Sequence, residues 1–360
     1  MRILHAADLH LDSAFAGLGD EKAALFRQES RDTLRRMVDW GNDHAADVML
    51  LAGDLFDSES LFSQTARTLA LALARFRGKV FLAPGNHDFY AAGSSYDAVD
   101  WPENVHIFKT DSIEAVELPE KNLRVYGAGF TARFEKPLLE GFHAKADGMT
   151  NLMVVHGNPT QTASPYNPIT PEQLESSGLA YLALGHIHQK SGLLRRGNTF
   201  YAWPGCAMGR GFDELGQKGA YLGEISGSGV RLDFLPLSGR KYEILRVDAG
   251  DDALAAITAA LPEDTQNDIY RVILTGEAEP ADIPALQAAL APRFYALTVR
   301  DETRPRRALW AGAEEDTLRG LFLQALKAQY DAAQTEEDRR KIALAARCGC
   351  AAMDGEEAAE

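Results

Sequence analysis

Five short segments of this 360-residue chain share one grammar: an apolar run, then at its C-terminal end a cluster of Asp, His, Asn and Gly. They are Asp8-Leu9-His10 after ILHAA, Gly53-Asp54 after VMLLA, Gly85-Asn86-His87-Asp88 after VFLAP, His156-Gly157 after LMVV, and Gly185-His186-Ile187-His188 after YLAL. Taken singly, each has a bland reading: Gly-Asp is a common turn, and Asn-His-Asp can bond its own backbone. Taken together they point to one site. Five of the nine histidines fall inside these clusters, and the carboxyl ends of strands in an open α/β sheet all face the crevice where ligands bind.

The residue types specify the chemistry. Asp, neutral His and an Asn carbonyl make a mixed oxygen and nitrogen donor set suited to Mn²⁺, Fe²⁺ or Zn²⁺, whereas thiolates would select zinc or copper. No cysteine stands in any cluster, and Cys206, Cys348 and Cys350 read as reduced thiols. Six or seven donors are too many for one catalytic ion that must keep open positions, so two divalent ions are expected, about 3.5 to 4 Å apart and sharing a carboxylate. Such a pair clamps a phosphate and lowers the pKa of a water between the ions.

In this order, D-x-H, G-D-x-x-D (Gly53 to Asp57), G-N-H-D, a strand-terminal His and G-H-x-H resemble the calcineurin-like metallophosphoesterases. The segments HAADLHLDS, AGDLFDS, APGNHD and ALGHIHQ are similar to the bacterial DNA repair exonuclease branch of SbcD and YhaO type, and SPYNPIT and the GxxGxKGAYL segment look closer to YhaO. The likeness covers about residues 1–240. It implies that Asp8, His10 and His188 hold a first metal, that Asp54 bridges, and that Asn86, His156 and His186 hold a second, Mn²⁺ being the leading ion. It further implies that His87 assists the leaving oxygen, that Asp88 orients the His87 ring, and that Asp57 is a supporting carboxylate. Arg210, on a Gly-rich loop, is a candidate phosphate contact. The activity implied is cleavage of DNA in repair, with a metal-bridged hydroxide attacking the phosphodiester. A small phosphodiester or phosphoprotein is the alternative substrate. A non-catalytic metal-binding subunit of a coiled-coil ATPase is a third reading, which the presence of His87 disfavours.

These side chains need strands to carry them. Up to about residue 240 short apolar strands alternate with helical stretches, the pattern of a layered α/β sandwich. Strands are expected at 2–6, 47–51, 79–83, 105–108, 123–126, 152–155, 179–184, 199–202, 220–225 and 231–235, the last three antiparallel. A helix from Ser60 to Phe76, capped by Ser58, follows from the recurrence of Leu61, Thr65, Leu69 and Leu73. Gly185 is expected to let the backbone turn, so that His186 and His188 face one cavity. Residues 241–304 read as a small α+β cap of βαββαβ type, with strands at 242–247, 269–274 and 295–299 and helices at 253–261 and 283–290. Residues 305–360 read as a basic link, two helices (316–333 and 336–347) and an acidic tail.

The net charge of −15 argues against a protein that coats nucleic acid nonspecifically, yet not against a nuclease, because metal-holding carboxylates make a locally positive site once loaded. Arg27, Arg31, Arg133, Lys136, Arg195 and Arg196 are unranked candidates for DNA contact. No run reaches the ~18 apolar residues of a membrane span, and the N-terminus turns polar too early for a signal peptide, so the expected location is the cytoplasm, with no membrane partner. In the resembling family the terminal helices dock on an SbcC-like coiled-coil ATPase, and members dimerise through helices; here the Ser60–Phe76 helix would serve a homodimer. Leu318, Leu321, Phe322, Ala325 and Leu326 form one apolar stripe and Ile342, Ala343 and Ala346 another, which would either serve such docking or pack on the protein's own cap.

Overall fold

The computed structural model describes residues 1–15, 20–57, 63–97, 99–304 and 309–354. In chain order the elements are β1 (Arg2–Ala6), α1 (Asp20–Asp43), β2 (Val48–Leu51), α2 (Ser63–Ala74), β3 (Lys79–Leu82), β4 (Val105–Ile107), β5 (Glu114–Leu118), β6 (Leu123–Gly127), β7 (Thr150–His156), α3 (Pro171–Ser176) and β8 (Tyr181–Gly185). There follow β9 (Leu194–Arg196), β10 (Thr199–Ala202), β11 (Gly219–Ser226), β12 (Gly229–Pro236), β13 (Tyr242–Asp248), α4 (Ala253–Ala260), β14 (Ile269–Thr275), α5 (Ile283–Leu290), β15 (Ala296–Asp301), α6 (Leu318–Ala332) and α7 (Glu336–Asp354). Two six-stranded sheets have the orders β12-β11-β1-β2-β3-β4 and β5-β6-β7-β8-β10-β9, and a third is β13-β14-β15.

The central strands are parallel and buried on both faces, which is why they read as unbroken apolar runs such as VMLL and LMVV. Their period of two divides the core. Val48 and Leu50 of β2 pack with Ile3, Phe81, Leu152, Val154 and Ala183 between the two large sheets. Met49 and Leu51 face the other way, onto Leu34, Met37 and Val38 of α1 and Leu69 and Leu73 of α2. Across the second sheet Met153, Val155, Leu182 and Leu184 pack with Leu174 of α3 and with Trp203. The result is a helix–sheet–sheet–helix sandwich.

Several expectations are corrected. Thr199–Ala202 is not an antiparallel companion of β11: it pairs parallel with β8 in the opposite sheet, while β11 and β12 pair antiparallel on the edge of the first. Proximity in sequence misled because Gly205 to Lys218 carry the chain across the sandwich. Helix α1 has no counterpart in the sequence reading, since only Ala23, Phe26, Leu34, Met37 and Val38 give its 24 residues an apolar stripe. The cap alternates three strands with two helices, without a fourth strand among the described residues. Helix α7 continues to Asp354 through Cys348 and Cys350. The Ser58 cap and start of the helix now seen as Ser63–Ala74, the basic residues 305–307 and the end of the acidic tail lie outside the described residues.

The chain divides into two compact units. One comprises Met1–Ile244 with Asp264–Arg271 and Pro292–Leu297; the other comprises Leu245–Glu263, Val272–Ala291 and Thr298–Glu360. Within the second, α6 and α7 pack through Leu323 and Ala346, with Phe322, Leu326 and Cys350 alongside. Leu318, Leu321 and Leu344 remain exposed on this pair. Among the described residues no helix is long and apolar enough to cross a membrane.

Candidate metal centre

Five strand ends deliver the candidate ligands. Asp8 and His10 follow β1, Asp54 follows β2, Asn86 to Asp88 follow β3, His156 ends β7, and His186 and His188 follow β8. The loops after β1 and β2 are laced together, with Asp8 N donating to Gly53 O and His10 N to Asp54 O, both at 3.0 Å. Asp8, His10, Asp54 and His186 all have positive φ, of 51, 43, 52 and 89°. Left-handed backbone at a non-glycine residue costs of order 1–3 kcal/mol and persists only where surrounding structure over-determines it. Four such residues in one cluster turn their side chains inward instead of along the strands.

His186, not Gly185, carries the turn after β8. Gly185 is required for another reason: a Cβ there would overlap the Ala52 carbonyl, where the ends of β8 and β2 pass. Gly85 is likewise forced, since a Cβ would overlap the Asp54 carboxylate.

The side chains converge in two groups, and a third sets a ring nitrogen of His87 beside His10 and Asp57. Donor atoms of Asp8, His10 and His188 lie within 4.8 Å of one another, as do those of Asp8, Asp54 and His156. Asn86 joins the second group, its Oδ1 lying 2.9 Å from His156 Nε2 and 3.2 Å from His186 Nδ1. Asp8 and Asp54 are buried, as are His10, Asn86 and His156. His87 stands exposed at the rim, its ring perpendicular to that of His10 at a centroid distance of 5.1 Å, and its backbone N–H donates to Asp54 Oδ1.

The hydrogen bonds behind the rings fit them to hold cations. His10 Nδ1 lies 3.0 Å from Asp57 Oδ1, His188 Nδ1 2.7 Å from Glu214 Oε1, and His156 Nδ1 2.9 Å from Ala52 O. Each oxygen accepts a hydrogen bond from Nδ1–H, which leaves Nε2 as the nitrogen facing the other candidate ligands. His10 Nε2 and His188 Nε2 face each other at 3.3 Å. Two bare lone pairs at that distance repel, so the geometry calls for positive charge between them, from a proton or from a divalent cation.

The electrostatics agree. Burial lowers His10 and His186 to about 3 and also lowers His156, keeping them neutral as ligands must be. Burial also pulls His188 down, but Glu214 and Asp8 outweigh it and hold that ring above its ordinary pKa. Burial pushes Asp8 up to about 6 and Asp54 up to about 7, the Asp88 carboxylate adding to the second shift. Two carboxylates so reluctant to ionise together are stabilised by a cation, which displaces their protons. The residues present therefore fit a two-ion site.

The family model described as calcineurin-like phosphoesterase matches residues 1–190, more than half of the chain. The chain belongs to that family. Among its relatives, it is 28% identical over 333 residues to the uncharacterized metallophosphoesterase YhaO of Bacillus subtilis, covering 86% of this chain and 80% of YhaO. It is 25% identical over 260 residues to SbcD, a component of the nuclease SbcCD of the same organism, covering 60% of this chain and 64% of SbcD. It is 26% identical over 223 residues to the 3',5'-cyclic adenosine monophosphate phosphodiesterase CpdA of Escherichia coli, covering 58% of this chain and 77% of CpdA.

Two expectations for this phosphoesterase change with the geometry. Asp88 does not orient His87. Its carboxylate accepts from the backbone N–H groups of Gly85, Asp54, Leu55 and Phe56 at 2.6 to 3.2 Å and from Tyr96 Oη at 2.5 Å, binding the loop after β3 to the loop after β2. Arg210 is not a free phosphate contact either. Its guanidinium donates to Glu214 at 2.7 Å and to Asp57 at 2.9 Å, joining the two carboxylates that stand behind His188 and His10. Asp57 supports His10 in this way. Glu214, which the sequence did not single out, is the missing partner; its signal was the acidic pair Asp213-Glu214 in the loop that carries Arg210.

Two predictions follow from the supports. Asp88→Ala leaves four buried N–H donors and the Tyr96 hydroxyl without their acceptor and should destabilise the fold by about 3 kcal/mol or more in chemical denaturation; a loss of only about 0.5 kcal/mol, the size of an ordinary surface change, would disprove the bracing role. Glu214→Gln should weaken one of two Mn²⁺ binding events by roughly 10- to 100-fold in calorimetry and spare the other. Equal weakening of both events, or of neither, would contradict the placement of Glu214 behind His188 alone.

Proposed function

We infer that this protein is a two-metal phosphodiesterase acting on DNA. The observation that carries the reading is the pair of donor groups, Asp8-His10-His188 and Asp8-Asp54-His156, joined by Asn86 and His186 and flanked by an exposed His87. Asp8, the carboxylate common to both groups, would hold the first ion with His10 and His188, Asp54 would be shared between the ions, and Asn86, His156 and His186 would hold the second. Two divalent ions in these places, Mn²⁺ being the first choice, would supply a low-pKa water and charge stabilisation for phosphate chemistry.

The remaining roles belong to the chain. Asp57 and Glu214 fix the ring orientation of His10 and His188, with Arg210 joining the two carboxylates. Asp88 holds Asp54 and the Asn86-His87 loop in mutual register. His87, exposed beside the first group, is placed to give a proton to the departing oxygen of a phosphodiester, and general acid assistance of this kind contributes about 10²–10⁴ in rate.

The alignment with SbcD supports DNA as substrate, and the exposed apolar residues of α6 and α7 support docking on an SbcC-like coiled-coil ATPase. The alignment with CpdA favours a second reading, the same chemistry on a small phosphodiester. One assay separates the two. With Mn²⁺, the protein should cut labelled single-stranded or duplex DNA as well as bis-p-nitrophenyl phosphate, and His87→Ala should lose about 10²-fold or more on DNA. Hydrolysis of the small ester with every DNA left intact would reject the nuclease, and a fully active His87→Ala would reject the acid. For the partner, removal of residues 312–360 should abolish co-purification with a co-expressed SbcC-type ATPase; undiminished co-purification would refute the docking.

A further inference from the structure

Beside the second donor group an aromatic step leads outward. The Tyr166 ring lies against His186 at a centroid distance of 4.9 Å, and the Phe134 ring lies against Tyr166 at 5.6 Å. Phe134 is 58% exposed, whereas Tyr166 is only partly so. A single exposed aromatic needs no explanation by itself. What distinguishes Phe134 is how firmly its backbone is held.

Glu135, next to it, is buried and pairs with Tyr166 in a parallel bridge: Glu135 N donates to Pro165 O, and Asn167 N donates to Glu135 O. The Glu135 carboxylate accepts from Lys136 N and Thr131 N, closing its own loop. Asn167 then ties both segments to the metal centre. Its Nδ2 donates to His156 O at 2.8 Å, and its Oδ1 accepts from Leu138 N at 2.7 Å. Asn167 is fully buried with φ of 44°, and Gly157 must be glycine because a Cβ would meet the Asn167 amide at 2.6 Å. A solvent-facing phenyl ring is thus braced, through one buried amide, to the residue that carries a candidate ligand.

The same bracing seats Leu138 and Ile169 in the core, yet it leaves the Phe134 ring outside. It suits a flat ligand that must be met in a defined place beside a phosphate, because a pre-positioned surface loses little conformational entropy on binding. Arg133, exposed beside it, matches the negative backbone of such a ligand, while Lys136 on the other side pairs with Asp111 at 3.3 Å. We propose that Phe134, supported from beneath by Tyr166, is a stacking platform for the nucleobase of a nucleotide phosphodiester whose phosphate sits at the metal centre. Stacking reads the π face that every base has, so the platform favours nucleotides over other phosphodiesters without selecting a sequence. This rests on the phosphodiesterase reading above and names its substrate class, whether the nucleotide belongs to a DNA strand or is a free cyclic nucleotide.

The experiment uses the full chain with Mn²⁺. Wild type, Phe134→Ala and Phe134→Trp are compared on a single-stranded oligonucleotide, on the same strand with abasic residues flanking the scissile phosphate, and on 3',5'-cyclic AMP. Phe134→Ala should lower kcat/KM on the normal strand by about tenfold, mainly through KM, as removal of one base–aromatic stack does. Abasic residues should cost wild type a similar factor and cost Phe134→Ala almost nothing more, while Phe134→Trp keeps wild-type behaviour. Mn²⁺ stoichiometry should be unchanged in both variants. If wild type cuts the strand and Phe134→Ala cuts it equally well, or loses equally on normal and abasic strands, the platform is overturned and the nuclease stands. If wild type cuts only the cyclic nucleotide, and Phe134→Ala loses about tenfold there, the nuclease falls and the platform stands. Activity confined to bis-p-nitrophenyl phosphate overturns both.

Discussion

Lone pairs aimed at one another are the constraint on which this structure turns. Two buried carboxylates, an amide oxygen and the nitrogens of four imidazoles come together, and in three close approaches, His156 to Asn86, His186 to Asn86 and His10 to His188, they lie 2.9, 3.2 and 3.3 Å apart. Left to themselves these groups would turn away toward water or protons. Everything nearby works against that escape. The left-handed backbone at four of the residues, the sheets that fix five strand ends on one edge, and the glycines at 85 and 185 all hold donors where only a positive charge relieves them.

Holding them there takes a second layer with its own logic. Three of the four imidazoles, His10, His156 and His188, are gripped from behind by an oxygen, and two of those oxygens are held in turn: Arg210 ties Asp57 to Glu214, joining the supports of His10 and His188. Asp88 plays the corresponding part for the loops, gathering four backbone N–H groups from two different strand ends. Asn167 does so for the rim, joining His156 to the segments that carry Phe134 and Tyr166. These residues are placed by the chain's long-range topology, with partners up to 153 positions apart in sequence, as for Arg210 and Asp57.

The centre was legible in the sequence to an unusual depth because metal chemistry restricts residue type and strand ends restrict position. A turn tolerates many residues, but a ligand must be Asp, His or Asn, and five such clusters each closing an apolar run leave little freedom. All seven candidate ligands come together, His87 stands at the rim as a free ring, and the layered α/β architecture follows from the same alternation. Less was legible where the signal is shared with ordinary surface. Helix α1 is mostly polar, β5 and β9 are short edge strands, and Glu214 stands among loop glycines, so nothing local marks any of them.

By itself, then, the sequence determined which residues are the candidate ligands, which strands carry them and to which family the chain belongs, because those depend on side-chain chemistry and on a period of two. Only the tertiary structure decided what stands behind each ligand. It gave Asp88 to the backbone of two loops instead of to His87, gave Arg210 to two carboxylates instead of to solvent, moved β10 into the opposite sheet, and put the turn on His186 while Gly185 makes room for a carbonyl. The reason is physical. A carboxylate or a guanidinium takes the strongest set of partners within reach, and which partners are in reach is a property of how distant strands pack, which no local spacing encodes.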